Sequence, residues 1–107
     1  MIGAISHIQV SSNGEPAVKK YMIERKIPGV HQMNESDLSG AAKVSNDALA
    51  KLAPKVQWVQ SYVGKDQTFC VYLAENEDVI REHARLSGFP ANVITEITGI
   101  IDPTTQR

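Results

Sequence analysis

The sequence predicts an α+β fold: a ferredoxin-like βαββαβ sandwich with a four-stranded antiparallel sheet and two helices on one face. Three observations carry that expectation. Two strands of alternating polarity are joined by Gly64-Lys65-Asp66-Gln67, a hairpin loop. Two amphipathic stretches each begin at an asparagine suited to cap a helix. The run from Trp58 to Pro90, WVQSYVGKDQTFCVYLAENEDVIREHARLSGFP, reads continuously as hairpin, helix and helix stop. One antiparallel hairpin flanked by two helical crossovers gives the βαββαβ order.

Residues 1–18 stand apart from this pattern. A weak strand-like run at 5–10 precedes SSNGEP, whose Asn13-Gly14 pair marks a turn, so the segment is read as an N-terminal extension or extra edge strand. A single domain then occupies 19–107, as the chain length and 42% hydrophobic content suit. Its first strand spans 21–27, with Tyr21, Ile23 and Ile27 on one face, Met22, Glu24 and Lys26 on the other, and Pro28-Gly29 at its end. Asn34 caps the first helix, Asp37 sits near the positive end of its dipole, and Met33 can staple onto Leu38. Leu38, Ala41, Ala42, Ser45, Ala48, Leu49 and Leu52 form its apolar stripe, closed by Pro54.

The second strand, 56–63, alternates Trp58, Gln60 and Tyr62 with Val59 and Val63. Its partner alternates Phe69, Val71 and Leu73 with Thr68, Cys70 and Tyr72. Asn76 caps the second helix, Glu77 and Asp78 lie in its first turn, Arg85 lies near its end, and Gly88 occupies the position where a left-handed residue is wanted. Pro90 prevents continuation, and a last strand at 93–101 completes the sheet.

Two helices cover one side of such a sheet. Hydropathy assigns them the aliphatic rows Ile23, Val59, Val63, Phe69, Val71, Leu73 and Ile97. The open face then holds Met22, Glu24, Trp58, Gln60, Tyr62, Cys70, Tyr72, Ile94, Glu96 and Thr98. That is too much aromatic surface to leave in water, so a homodimer packed through the open face is expected.

Composition excludes several function classes. Eleven basic against twelve acidic residues leave no basic footprint for nucleic acid. The apolar start is short and lacks a basic flank, so neither a signal peptide nor a membrane partner is expected. Cys70 is the single cysteine, which rules out an internal disulfide and fits a reducing, cytoplasmic location.

Trp58, Gln60, Tyr62, Cys70, Tyr72 and Glu96 are the expected pocket-lining residues, since apolar walls with a few polar groups suit a small-molecule ligand. A dimer interface whose polar atoms satisfy one another is the competing reading. Glu24 and Glu96 act as an acid–base pair only if the fold brings them together. His83 falls on the apolar stripe of the second helix, either as a spacer between helix and sheet or as a ligand oriented by a fixed hydrogen bond. His31, in the loop at 28–33, is the histidine freest to bind a metal. No His-x-x-x-His or Cys-x-x-Cys spacing occurs, so a metal site must be assembled in space or across subunits, and imidazole with carboxylate suits nickel or another divalent ion. Cys70 reads as a small buried hydrophobe. With no glycine-rich phosphate loop or nucleophile elbow, no organic cofactor is expected.

The segments YMIERKIPG (21–29), WVQSYVGKDQTFCVY (58–72), IREHARLSGFP (80–90) and IDPT (101–104) closely resemble a bacterial family of small proteins named after a nickel-responsive, nickel-binding protein. The resemblance covers about residues 20–105 and implies a dimeric ferredoxin-like fold. It also implies nickel as the metal. The leading expectation is therefore a cytoplasmic dimer binding a divalent metal through His31, His83 and Glu24, with no catalytic residue assigned. The second is a cofactor-independent enzyme, a small monooxygenase or isomerase, using Glu24, Tyr62 and His83 around a pocket on the open face. A third is a plain interaction module.

Overall fold

The computed structural model describes residues 18–107. The expected extension or edge strand at 1–18 lies, but for Val18, outside the described residues. The elements are β1 (Lys19–Lys26), a 3-10 turn (Val30–Gln32), α1 (Glu35–Leu52), β2 (Val56–Val63), β3 (Gln67–Ala74), α2 (Glu77–Ser87), β4 (Val93–Ile97) and a second 3-10 turn (Pro103–Thr105). The strands form one sheet in the order β2-β3-β1-β4 with every neighbouring pair antiparallel, which is the ferredoxin-like arrangement.

Local chemistry sets the helix ends as anticipated. Asn34 and Asp37 form a reciprocal capping box, the Asp37 amide donating to Asn34 Oδ1 at 2.8 Å and the Asn34 amide to Asp37 Oδ2 at 3.3 Å. Asn76 Oδ1 accepts from the Val79 amide at 3.0 Å. Gly88 closes α2 at φ 82°, its amide donating to the Ala84 carbonyl at 2.9 Å. The last strand is shorter than expected, stopping at Ile97, and Ile100 and Ile101 stand exposed beyond it.

The hydrophobic core contains Tyr21, Ile23, Val56, Cys70, Tyr72, Ala74 and Ile80, with Leu49, Leu52, Val79, Trp58 and Ile94 packed against it. This corrects the assignment of sheet faces. Register pairs Tyr21 with Tyr72 and Ile23 with Cys70, so the β3 row under the helices is Thr68, Cys70 and Tyr72. Phe69, Val71 and Leu73 instead share the open face with Met22 and Glu24, and Ile97 lies there across from Lys20. Side chains alternate with period two, so a face assignment that is wrong at one position of a strand is wrong along its length.

β2 adds an irregularity that strict alternation misses. Trp58 pairs with Tyr72 but Gln60 pairs with Val71, which leaves Val59 as an extra residue. The bulge puts Trp58, Ser61 and Val63 on the covered face and Gln60 and Tyr62 on the open one. Val59 itself is exposed.

The hairpin tip between β2 and β3 is fastened to the loop after β1. The Gly29 amide donates to Asp66 Oδ1 at 2.8 Å, the Ile27 amide to the Asp66 carbonyl at 3.0 Å and the His31 amide to the Lys65 carbonyl at 3.3 Å. Gly29, at φ 77°, supplies the left-handed turn this approach requires.

Candidate functional site

A cleft opens between α1 and the covered face of the sheet, with a volume of about 300 Å³. The apolar stripe of α1 supplies Leu38, Ala41 and Ala42, the loop after β1 supplies Val30 and Met33, and the sheet supplies Trp58, Val63, Cys70 and Tyr72. Phe89, just past the left-handed Gly88, lines it too. Two alanines explain the space: the stripe amphipathicity that seats α1 on the sheet is met by side chains too short to fill the layer. Leu38 remains partly exposed beside it.

Five hydroxyl or thiol groups in the lining already have partners. Trp58 Nε1 donates to Ser61 Oγ at 2.9 Å, Cys70 Sγ donates to Thr68 Oγ1 at 3.5 Å, and Ser45 Oγ lies 3.2 Å from His83 Nε2. The phenol of Tyr72 accepts from Arg25 Nη2 at 3.3 Å. Burial raises the Tyr72 pKa, and the neighbouring Arg25 charge opposes that shift. The phenol therefore stays protonated at neutral pH.

Arg25 is the residue that sequence reasoning missed. It is 2% exposed, lies on the β1 row with Tyr21 and Ile23, and borders the cleft. Nη1 donates to the Pro90 carbonyl at 2.7 Å and the Phe89 carbonyl at 3.4 Å, and the guanidinium carbon lies 5.7 Å from the Tyr72 ring centre. No carboxylate pairs with it among the described residues. Its strand parity, two residues beyond Ile23, was the signal available.

The expected pocket lining divides accordingly. Trp58, Cys70 and Tyr72 line the cleft under α1, not a pocket on the open face. Gln60 and Tyr62 lie on the open face, where Gln60 Nε2 donates to the Tyr62 hydroxyl at 2.6 Å. Glu96 sits opposite Tyr21 on the covered side but is exposed at the edge strand. Glu24 lies on the open face and accepts from Gln67 Nε2 at 3.2 Å, so the two glutamates point to opposite sides of the sheet.

The three metal-ligand candidates are also separated. His83 is fully buried in α2 on the covered side, its Nε2 near Ser45 and its Nδ1 without a partner. Burial lowers its pKa, and the Arg25 charge lowers it further, so the ring is neutral. His31 is exposed in the 3-10 turn, with Nδ1 against the Lys65 carbonyl. With Glu24 across the sheet from His83, the set does not converge within one copy. Among the described residues, no group of three or more His, Cys, Asp or Glu is placed to hold a metal ion. The donor set that the described residues of one copy provide thus does not fit nickel. No helix among these residues is long and apolar enough to cross a membrane.

This architecture defines a small ferredoxin-like α+β protein with an internal cleft. The family model described as nickel responsive protein SCO4226-like matches residues 21–97, and the chain belongs to that family. Its fold is similar to the crystal structure of SCO4226 from Streptomyces coelicolor A3(2), with a TM-score of 0.63 and 14% identity over 77% of this chain and 99% of that one. A search of curated proteins finds no match.

Proposed function

We propose that this chain is a binding protein, not a catalyst, and that it takes a small, largely apolar molecule into the cleft between α1 and the sheet. The observation supporting this is a cavity of about 300 Å³ walled by aliphatic and aromatic side chains, with a few polar groups at fixed positions. Among the described residues its lining offers no group suited to moving a proton at neutral pH. Tyr72 holds its proton, Cys70 is buried without a nearby base, and His83 lies behind Ser45 rather than in the cavity wall. Titration of isotopically labelled full chain with neutral apolar fragments tests the reading. Amide and indole shifts should cluster at Ala42, Trp58, Cys70 and Phe89, and an Ala42→Leu variant should lose them; absence of shifts there sinks the proposal.

Family membership favours a second reading, nickel binding. His31 is the better placed of the two described histidines, because its Nδ1 faces a backbone carbonyl, which fixes the tautomer and turns Nε2 outward. The remaining donors would come from a second copy. A dimer is in turn supported by the aliphatic open face, where Met22, Phe69, Val71 and Leu73 form a patch that water does not favour. The single buried cysteine suits a cytoplasmic setting. Calorimetric titration of tag-free protein with nickel tests this: His31→Ala should abolish uptake, and unchanged uptake removes His31 from the site.

A further inference from the structure

We infer that the cleft selects an anion: a small carboxylic acid with an apolar body, its carboxylate placed against the guanidinium of Arg25. The inference rests on the cleft being the ligand site and adds the chemical class of what enters it. Arg25 carries five N–H donors, and its recorded acceptors are two carbonyls and one phenol. Nε–H and at least one Nη proton therefore have no acceptor among the described residues. All three acceptors are neutral, so they hold the guanidinium in place without cancelling its charge.

An arginine 2% exposed and without an acidic partner among the described residues is an unusual thing to retain in a core, because a buried charge is strongly disfavoured unless an opposite charge meets it. The cleft supplies no such charge. Among the described residues its lining contains neither Asp nor Glu, and Arg25 is the only ionised side chain there. The remaining polar lining groups are committed to one another or to the core, Ser61 to Trp58, Thr68 to Cys70 and Ser45 to His83. The guanidinium thus borders the cleft with its charge unneutralised by the described lining, and a carboxylate matches it in shape as well as in charge.

The rest of the lining sets the rest of the molecule. Val30, Met33, Leu38, Ala42, Trp58 and Phe89 ask for a hydrocarbon or an aromatic ring and give a second polar group nothing to bond. At the packing density of protein interiors, a cavity of about 300 Å³ holds an apolar body of roughly eight to ten carbons. Tyr72, whose hydroxyl accepts from Arg25, lines the same cavity.

Octanoate and octanamide, nearly identical in shape and different in charge, separate this inference from the reading beneath it. Each is titrated calorimetrically into the full chain near neutral pH, with the emission of Trp58, the only tryptophan, reporting occupancy of the cleft. Octanoate should bind roughly tenfold or more tightly than octanamide, as expected for a charge-assisted pair away from water. Both should change Trp58 emission, and the preference should vanish in Arg25→Met. Equal affinities in the native chain overturn the anion assignment and leave the cleft reading intact, whereas failure of both to bind removes the cleft reading itself. An octanoate preference without a change in Trp58 emission puts the acid at surface lysines and overturns the assignment. If Arg25→Met does not fold, the ratio measured on the native chain decides alone.

Discussion

The indole of Trp58 donates to Ser61 Oγ at 2.9 Å, linking two residues three apart in sequence that a single bulged residue, Val59, brings onto the same side of the sheet. On an unbroken strand, residues three apart face opposite ways. The bond thus marks the bulge and secures the Trp58 ring in the cleft wall. Ser61→Ala should destabilise the chain by about 1 kcal/mol, the usual value of one partly buried hydrogen bond, and should alter Trp58 emission. Urea unfolding followed by fluorescence checks both.

That bulge also explains what was and was not legible in the sequence. Caps leave compositional marks, so Asn34, Asn76 and Gly88 could be placed, and the hydropathy period located both helices and the hairpin. His83 falls on the apolar stripe of α2, a placement compatible with either of its two readings, and the structure buries it there. Sheet faces were harder, because hydropathy favours Phe69, Val71 and Leu73 as an inside row. Pairing of Ile23 with Cys70 decides otherwise, and an extra residue such as Val59 has no signature of its own. Arg25 was illegible for a related reason: charge argues for water, and only its register with Tyr21 and Ile23 argues for the interior.

Stability should depend on His83 in mildly acid solution. Its folded pKa is depressed below 6.5 by burial and then by Arg25, so as pH falls the unfolded chain takes up the imidazole proton first. The contribution is fully present above the unfolded value, declines as pH drops below it, and levels once the folded ring is protonated. The slope in that window should reach at most about 1.4 kcal/mol per pH unit for this one proton. Urea midpoints from about pH 8 to about pH 5 should show it, and His83→Gln should remove that component of the slope.

Two glycines should respond in opposite directions to alanine. Gly88 holds φ 82° at the end of α2, so Gly88→Ala should destabilise by about 1 kcal/mol through strain even though nothing crowds the added methyl. Gly40 lies inside α1 with open space around its Cβ position, and Gly40→Ala should stabilise by about 0.5 to 1 kcal/mol. Thermal unfolding of the two variants measures the contrast.

The aliphatic open face makes self-association testable at one position. Val71 pairs with Met22 on one side and Gln60 on the other, at the middle of that face. Val71→Asp should shift the mass measured by light scattering from dimer to monomer while preserving the helical circular dichroism signal. A native chain that is monomeric at all concentrations, or a Val71→Asp chain that remains dimeric, rejects this face as the interface.

The fastening of Asp66 and Lys65 to Gly29 and His31 has a consequence for how the molecule can diversify. Two loops distant in sequence share one hydrogen-bonded junction, and one of them carries Val30 and Met33 into the cleft wall. A change of length or turn type in either loop therefore disturbs the other. The hairpin tip and the loop after β1 thus behave as one structural unit rather than as two independent loops.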